Sequence, residues 1–180
     1  MHKFFKIMAL AMATASTVLF ASGCSAEHSQ RAQEAAAAEK FPAFRTVDLK
    51  GHEVSQEIFK GKKVTVINIW GTFCPPCIGE MPELGAWAKE MPQDAQLIGL
   101  VCDAMGPEDK ETTSAALKIL SDSQADFMNI LPSQELMKYL DKVEAVPTTI
   151  FVDEEGTIIG EQVVGADVPK YKELLARYLK

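Results

Sequence analysis

Apolar and polar positions change their period several times along the chain, and each change marks an element. Phe44 to Asp48 alternates apolar and polar side chains and runs into Lys50-Gly51, the pattern of a β-hairpin. Val64 to Trp70 (VTVINIW) is a nearly continuous β-branched and apolar run, which fits a strand covered on both faces. Ala95 to Cys102 reads as a second buried strand, and Ala125 to Ile130 as a short third one. Helices are predicted over Cys74 to Glu90, from Pro107 to Leu120, and over Gln134 to Leu140 behind Ser133. Thr148 to Val152 and Thr157 to Val164, joined through Asp153-Glu154-Glu155-Gly156, read as an antiparallel hairpin. Asp167 caps a last helix, Val168 to Lys180, with Pro169 in its first turn and Leu174, Leu175 and Tyr178 on one face.

Strands that alternate with helices predict an α/β layer architecture: a central mixed β-sheet flanked by helices, with an N-terminal β-hairpin extension. The chain of 180 residues does not spend all its length on that domain. Met1 to Lys6 is a short basic start, Ile7 to Phe20 is apolar or small without charge, and small residues lead to Cys24. This is the layout of a secretory signal over residues 1–23. The run Phe20-Ala21-Ser22-Gly23-Cys24 resembles a bacterial lipoprotein lipobox, in which the cysteine is lipidated and becomes the mature N-terminus. It departs from that pattern at Ala21, where Leu is usual, so an uncleaved anchor helix and an ordinary cleaved signal stay open beside lipidation of Cys24. The uncharged stretch is borderline for a membrane span of about 20 residues. Ser25 to Lys40 (SAEHSQRAQEAAAAEK) has no large apolar residue to bury, so residues 24–40 read as the lipidated cysteine and a flexible tether. Residues 41–180 form the domain.

Composition narrows the partners. Hydrophobic residues make up 47% and charged residues 24%, which fits a globular protein and excludes a wholly disordered chain. Asp plus Glu number 25 against 18 Lys plus Arg, a net charge of −7. Such a chain is unsuited to nucleic acid, where basic residues must neutralise phosphates. Removing the leader takes away basic side chains and no acid, so membrane attachment would rest on acyl chains rather than on charge. The four cysteines are too sparse for a disulfide scaffold.

Two of them carry chemistry. Cys74-Pro75-Pro76-Cys77 follows a predicted strand and opens a predicted helix. Cysteines three apart in a first helical turn lie about 5–6 Å apart, within disulfide range. Free N–H groups and the helix dipole at that end stabilise a thiolate on Cys74, making it the nucleophile, with Cys77 one turn inside as the resolving thiol. Pro75 and Pro76 are tolerated because first-turn amides lack helical partners. A static disulfide and half of a zinc site are the alternatives, and zinc lacks a second ligand pair, because only Cys102 and no histidine follows Cys77.

The segment Trp70-Gly71-Thr72-Phe73-Cys74-Pro75-Pro76-Cys77-Ile78-Gly79-Glu80-Met81-Pro82 resembles the active-site segment of thioredoxin-like proteins, most closely the membrane-tethered thiol-disulfide oxidoreductases of the TlpA/ResA type. Val146-Pro147-Thr148-Thr149 resembles the cis-proline loop of that family. The resemblance spans Phe41 to Lys180 and implies a thioredoxin-like fold and a Cys74/Cys77 dithiol-disulfide cycle, with no further cofactor and no metal. It implies a cis bond before Pro147 facing the dithiol, and a Val146 backbone that pairs with an extended substrate strand. Trp70 and Phe73 are expected at the rim of the site beside Pro75 and Pro76, with core packing the alternative for Trp70. Glu80 is either a proton acceptor or pKa modulator beside the buried thiol, or a solvated glutamate near the helix start. Asn68 stands where thioredoxin itself has a buried Asp, and Asn does not titrate, so it reads as a hydrogen-bonding core residue. Pro82 is expected to kink the helix. Cys102 is either a buried small hydrophobe or a reactive thiol.

These readings describe an exported, membrane-anchored monomer on the extracytoplasmic side of the cell envelope. It would reduce disulfide-bonded envelope proteins, apocytochrome c among the candidates, with electrons from a membrane thiol transporter. Two other classes compete. A peroxidase on the same fold would place proline and threonine in a P-x-x-x-T-x-x-C pattern, and Ile67 to Phe73 (INIWGTF) has no proline. A metal- or partner-binding module of the copper-chaperone kind would use C-x-x-x-C and a later histidine, neither of which the chain has.

Overall fold

The computed structural model describes residues 39–180. The signal, Cys24 and most of the predicted tether lie outside the described residues. Glu39 and Lys40 already join the domain: Ile158 N–H donates to Glu39 O at 2.8 Å, and Lys40 Nζ donates to Thr157 Oγ1 at 2.7 Å.

The N-terminal extension is a two-stranded antiparallel hairpin, β1 (Arg45–Val47) and β2 (Glu53–Ser55). Its turn is held by Asp48, whose Oδ1 accepts the N–H of Lys50 at 2.9 Å and of His52 at 2.8 Å. A single 3₁₀ turn over Gln56–Phe59 leads to β3 (Val64–Trp70). Then come α1 (Pro75–Glu90), β4 (Ala95–Val101), α2 (Lys110–Asp122), β5 (Met128–Ile130), α3 (Gln134–Leu140), β6 (Thr148–Val152), β7 (Val163–Val164) and α4 (Val168–Tyr178). The five-stranded sheet has the order β5-β4-β3-β6-β7, with β3, β4 and β5 parallel and β6 antiparallel to both of its neighbours.

Strand alternation divides the core. Val64, Val66 and Trp70 join Leu97, Val101 and Phe151 in a cluster with Met81 and Leu84 of α1, Ala116 and Leu120 of α2, and Tyr171 and Leu174 of α4. Ile67, Ile69, Ile98, Leu100, Ile150 and Val152 pack instead with Leu136 of α3 and with Phe41, Phe44 and Phe59. β3 is buried at every position, as its apolar run predicts. One transverse row of the sheet is exceptional. Asn129, Gly99, Asn68 and Thr149 are consecutive register partners across β5, β4, β3 and β6, so a polar row crosses the buried sheet.

Several boundaries differ from the pattern-based reading. The helix expected from Pro107 begins at Lys110, because Asp109 is the cap, accepting the N–H of Thr112 at 3.1 Å and of Met105 at 3.0 Å. The second strand ends at Val101, and only Met128–Ile130 of the third forms a ladder. The expected strand Thr157 to Val164 is interrupted, with an isolated bridge at Ile158 and pairing again at Val163. Gly160 turns the chain there at φ +67, and a Cβ on it would lie 1.8 Å from the Tyr178 hydroxyl. That hydroxyl accepts the Glu161 N–H at 3.1 Å.

Candidate active site

Cys74 caps α1 and Pro75 and Pro76 occupy its first turn. Cys74 and Cys77 are joined by a disulfide, with Cα atoms 5.3 Å apart. The Cys77 N–H points at Cys74 Sγ from 3.3 Å, so a backbone donor at the helix start faces the outer sulfur. This contact would support negative charge on Cys74 when the pair is reduced. Cys74 is 4% exposed and Cys77 fully buried, which fits an outer attacking sulfur and an inner resolving one.

Two loops flank the outer sulfur, and a third braces one of them. The first precedes α1 and is clamped by Asp103, whose carboxylate accepts the Thr72 N–H at 3.1 Å and the Thr72 hydroxyl at 2.6 Å. Nothing in the local pattern marks Asp103, because its partner lies on another strand end. The second is the Val146-Pro147 loop, whose bond is cis, as the family resemblance implies. Val146 O lies 3.5 Å from Cys74 Sγ. The third, between β7 and α4, braces the second: Gly165 N–H donates to Pro147 O at 2.8 Å.

Phe73 stands out from the surface at 68% exposure, and Pro75 and Pro76 are exposed beside it. A cavity of about 620 Å³ opens between Phe73 and Val146, lined also by Cys102, Met137, Leu140 and Val143. Cys102 is thus half-buried at the wall of a groove beside the disulfide. Burial, with the neighbouring Asp103 carboxylate, pushes its thiol up to about 11.

Trp70 is not at the rim with Phe73 but takes the core alternative: its side chain is fully buried, and Nε1–H donates to Asn129 Oδ1 at 2.8 Å. Alternation along β3 turns it inward, and an indole N–H in a core needs a partner. The partner fits because position 99 is glycine: a Cβ there would lie 1.8 Å from Asn129 Oδ1. Trp70 supports the site from beneath rather than offering surface to a substrate.

Glu80 is 5% exposed, one turn along α1 from Cys77, and not solvated. It meets two elements directly and a third through Asn68. Asn68 Nδ2 of β3 donates to Glu80 Oε1 at 2.8 Å and to Thr149 Oγ1 of β6 at 3.1 Å. The Tyr171 hydroxyl of α4 lies 3.1 Å from Glu80 Oε2. Asn68 Oδ1 is buried without a hydrogen-bond partner. Burial pushes the Glu80 carboxyl above its ordinary range, and its polar contacts do not reverse this. Asn68 is therefore a core hydrogen-bonding residue whose partner is the acidic side chain nearest the inner thiol along α1. No local pattern marks Tyr171, because its partners Glu80 and Gly165 lie on other elements.

Among the described residues no cluster of three His, Cys, Asp or Glu side chains is placed to hold a metal ion. The disulfide, the helix start, the cis-proline loop and an apolar groove make a site suited to thiol–disulfide exchange with an extended polypeptide.

Comparison with known proteins agrees with this chemistry. The Redoxin family matches residues 36–175. Thiol-disulfide oxidoreductase ResA of Bacillus thuringiensis subsp. konkukian (strain 97-27) is 30% identical over 141 residues, 77% of this chain and 74% of the relative. Thiol:disulfide interchange protein DsbE of Pseudomonas aeruginosa is 31% identical over 140 residues, 76% of this chain and 71% of the relative. In fold, StoA from Bacillus subtilis superposes with a TM-score of 0.60 at 20% identity, covering 77% of this chain and 96% of the other. A thiol:disulfide interchange protein of the thioredoxin family from Chlorobium tepidum TLS superposes with a TM-score of 0.65 at 19% identity, covering 79% and 97%.

Proposed function

From the chain's place in the Redoxin family, to which it belongs as a TlpA/ResA-type thiol-disulfide oxidoreductase of thioredoxin-like fold, we propose that it reduces disulfides in extracytoplasmic proteins while tethered to a membrane through Cys24. The observation that carries this reading is the Cys74–Cys77 disulfide at the start of α1, with Val146 O 3.5 Å from the outer sulfur and Phe73 exposed beside it.

In the reducing direction the Cys74 thiolate attacks a substrate disulfide. One substrate sulfur leaves as thiolate, and the other stays bound to Cys74 as a mixed disulfide. The Val146 backbone pairs with the extended substrate, Pro147 shapes that loop, and Phe73, Pro75 and Pro76 form the contact rim. Cys77 then attacks Cys74 Sγ, expels the second substrate thiolate and closes the disulfide seen here. Glu80 takes up the Cys77 proton. The cycle calls on no cofactor beyond the cysteine pair. Electrons return from a membrane thiol transporter, and the haem-binding C-x-x-C-H of apocytochrome c is one candidate target. The protein works as a monomer on the extracytoplasmic side of the cell envelope, held at its membrane by lipid.

Trapping tests the reading. Cys77→Ala leaves Cys74 joined to its partner, so a mixed disulfide with an envelope protein is expected by mass spectrometry from cells, and it vanishes when Cys74 is also replaced. Absence of any captured envelope protein would count against the substrate class. Metabolic labelling with a fatty acid is expected to mark the wild type and not Cys24→Ala, and equal labelling of both would remove the tether.

A further inference from the structure

The Tyr171 hydroxyl owns one proton and has three polar contacts within hydrogen-bond distance, with the Thr149 hydroxyl of β6 a further neighbour. Gly165 O lies 2.7 Å from it, Glu80 Oε2 lies 3.1 Å from it, and the Asp167 N–H donates to it at 3.2 Å. A peptide carbonyl is only an acceptor, and an O···O contact of 2.7 Å needs a proton between the atoms. The phenolic proton therefore points at Gly165. The Asp167 N–H takes one lone pair of the phenol, and the other faces Glu80. Two oxygens 3.1 Å apart in a buried place then form a hydrogen bond only if the carboxyl brings the proton.

We propose that Tyr171 is a positioning residue of the redox cycle: fixed by two backbone groups of the loop before α4, its hydroxyl accepts a hydrogen bond from Glu80 and holds that carboxyl in the protonated form while the Cys74–Cys77 disulfide is closed. The other carboxyl oxygen, Oε1, is then the carbonyl that accepts from Asn68 Nδ2.

This rests on the dithiol cycle above and says where one of its protons stays. In the closing step Cys77–SH and the mixed disulfide Cys74–S–S–R become the Cys74–Cys77 disulfide and R–S⁻. The Cys77 thiol is oxidised, the substrate sulfur is reduced, and the Cys77 proton passes to the Glu80 carboxylate. When the pair is reduced again, Glu80 returns that proton to Cys77. The groups facing Glu80 are few. On α1 the charged neighbour is Glu83, paired with Lys172 Nζ at 2.9 Å, and Cys77 lies one turn back along the helix. β3 contributes the Asn68 amide, which also donates to the Thr149 hydroxyl of β6, and both are neutral. α4 contributes Tyr171, whose own proton is held firmly, because burial pushes the phenol up to about 12. No cation among these touches the carboxyl; the Asn68 N–H contact favours the ionised form, and burial outweighs it.

Infrared spectroscopy of the oxidised full chain tests this without any turnover. A protonated-carboxyl C=O band is expected at pH 7, assigned to Glu80 by its loss in Glu80→Gln. In Tyr171→Phe, which keeps the ring, the ratio of ionised to protonated Glu80 at a fixed pH should rise roughly tenfold. Replacing the tyrosines with 3-fluorotyrosine weakens the phenol as an acceptor without removing it, and should move the ratio the same way if Tyr171→Phe does not fold. No Glu80 band in the wild type, or a ratio unchanged or lowered in the variants, overturns the proposal. Such a result would leave the trapping of substrates by Cys77→Ala untouched, so the two readings fail separately.

Discussion

Asn68 Nδ2 of β3 lies 2.8 Å from Glu80 Oε1 of α1, and neither side chain reaches solvent. An uncharged amide in this place can donate to the carboxyl in either of its states. Asn68→Asp would put a second carboxyl at that distance, and two buried like charges cannot both ionise. The variant's deficit against the wild type is expected to grow by about 1–3 kcal/mol between pH 4 and pH 8. Urea unfolding of the oxidised proteins at the two pH values decides this, and an equal deficit at both contradicts the contact.

Glu80 itself gives the fold a pH dependence. Burial raises its folded value above the ordinary 4.5, so the unfolded chain gives up this proton first as pH rises. The stability it contributes is fully present below the ordinary carboxyl range and is lost as pH climbs through the folded value. Glu80→Gln cannot titrate. The stability of wild type minus Glu80→Gln should therefore fall with rising pH above 4.5, read from denaturant midpoints. A difference that stays flat from pH 4 to 8 would falsify the burial argument.

Cys102 lines the groove next to Phe73 and Val146 and does not share the reactivity of the active-site pair. Its thiol is raised to about 11, and the thiolate is the nucleophile. After reduction, iodoacetamide at pH 7.5 should alkylate Cys102 roughly a hundredfold more slowly than a free cysteine. Peptide mass spectrometry over time reads the rate. Labelling of Cys102 as fast as a model thiol would show that the groove wall is open to solvent.

Gly99 makes room for the amide that satisfies Trp70. In Gly99→Ala the new Cβ meets Asn129 Oδ1 at 1.8 Å, and Asn129 must give up the Trp70 indole. Overpacking of this kind costs about 1–3 kcal/mol. The chemical shift of the Trp70 indole N–H should move as the thermal midpoint falls. An unmoved midpoint would mean that the row across the sheet is loosely packed.

The elements that depend on local pattern were legible in sequence. The β-branched run of β3, the proline-bracketed start of α1 and the Pro147 loop lie where the residues place them. The start of α2 was missed because Pro107 resembles a first-turn proline, whereas the capping hydrogen bonds belong to Asp109. Trp70 misled for a related reason. A large aromatic beside a reactive motif suggests a rim, and only the register of β3, β4 and β5 reveals that Asn129 lies within its reach. The environment of Glu80 was the least legible part. Asn68, Thr149 and Tyr171 come from three separate elements, and sheet register and helix packing bring them together rather than any spacing along the chain.

Asp103 and Thr72 hold the loop before Cys74 in the same non-local way, while exchange itself rests on the two sulfurs. The most direct measurement of that claim is the rate at which the reduced full chain reduces a disulfide-bonded test protein. Wild type should turn over with dithiothreitol as electron source. Cys74→Ser should fall to the rate of dithiothreitol alone. Reduced beforehand and freed of dithiothreitol, Cys77→Ala should consume about one disulfide per chain and stop as the mixed disulfide. Turnover by Cys74→Ser at the wild-type rate would contradict the account, because no other described thiol stands at the start of a helix beside the Val146-Pro147 loop.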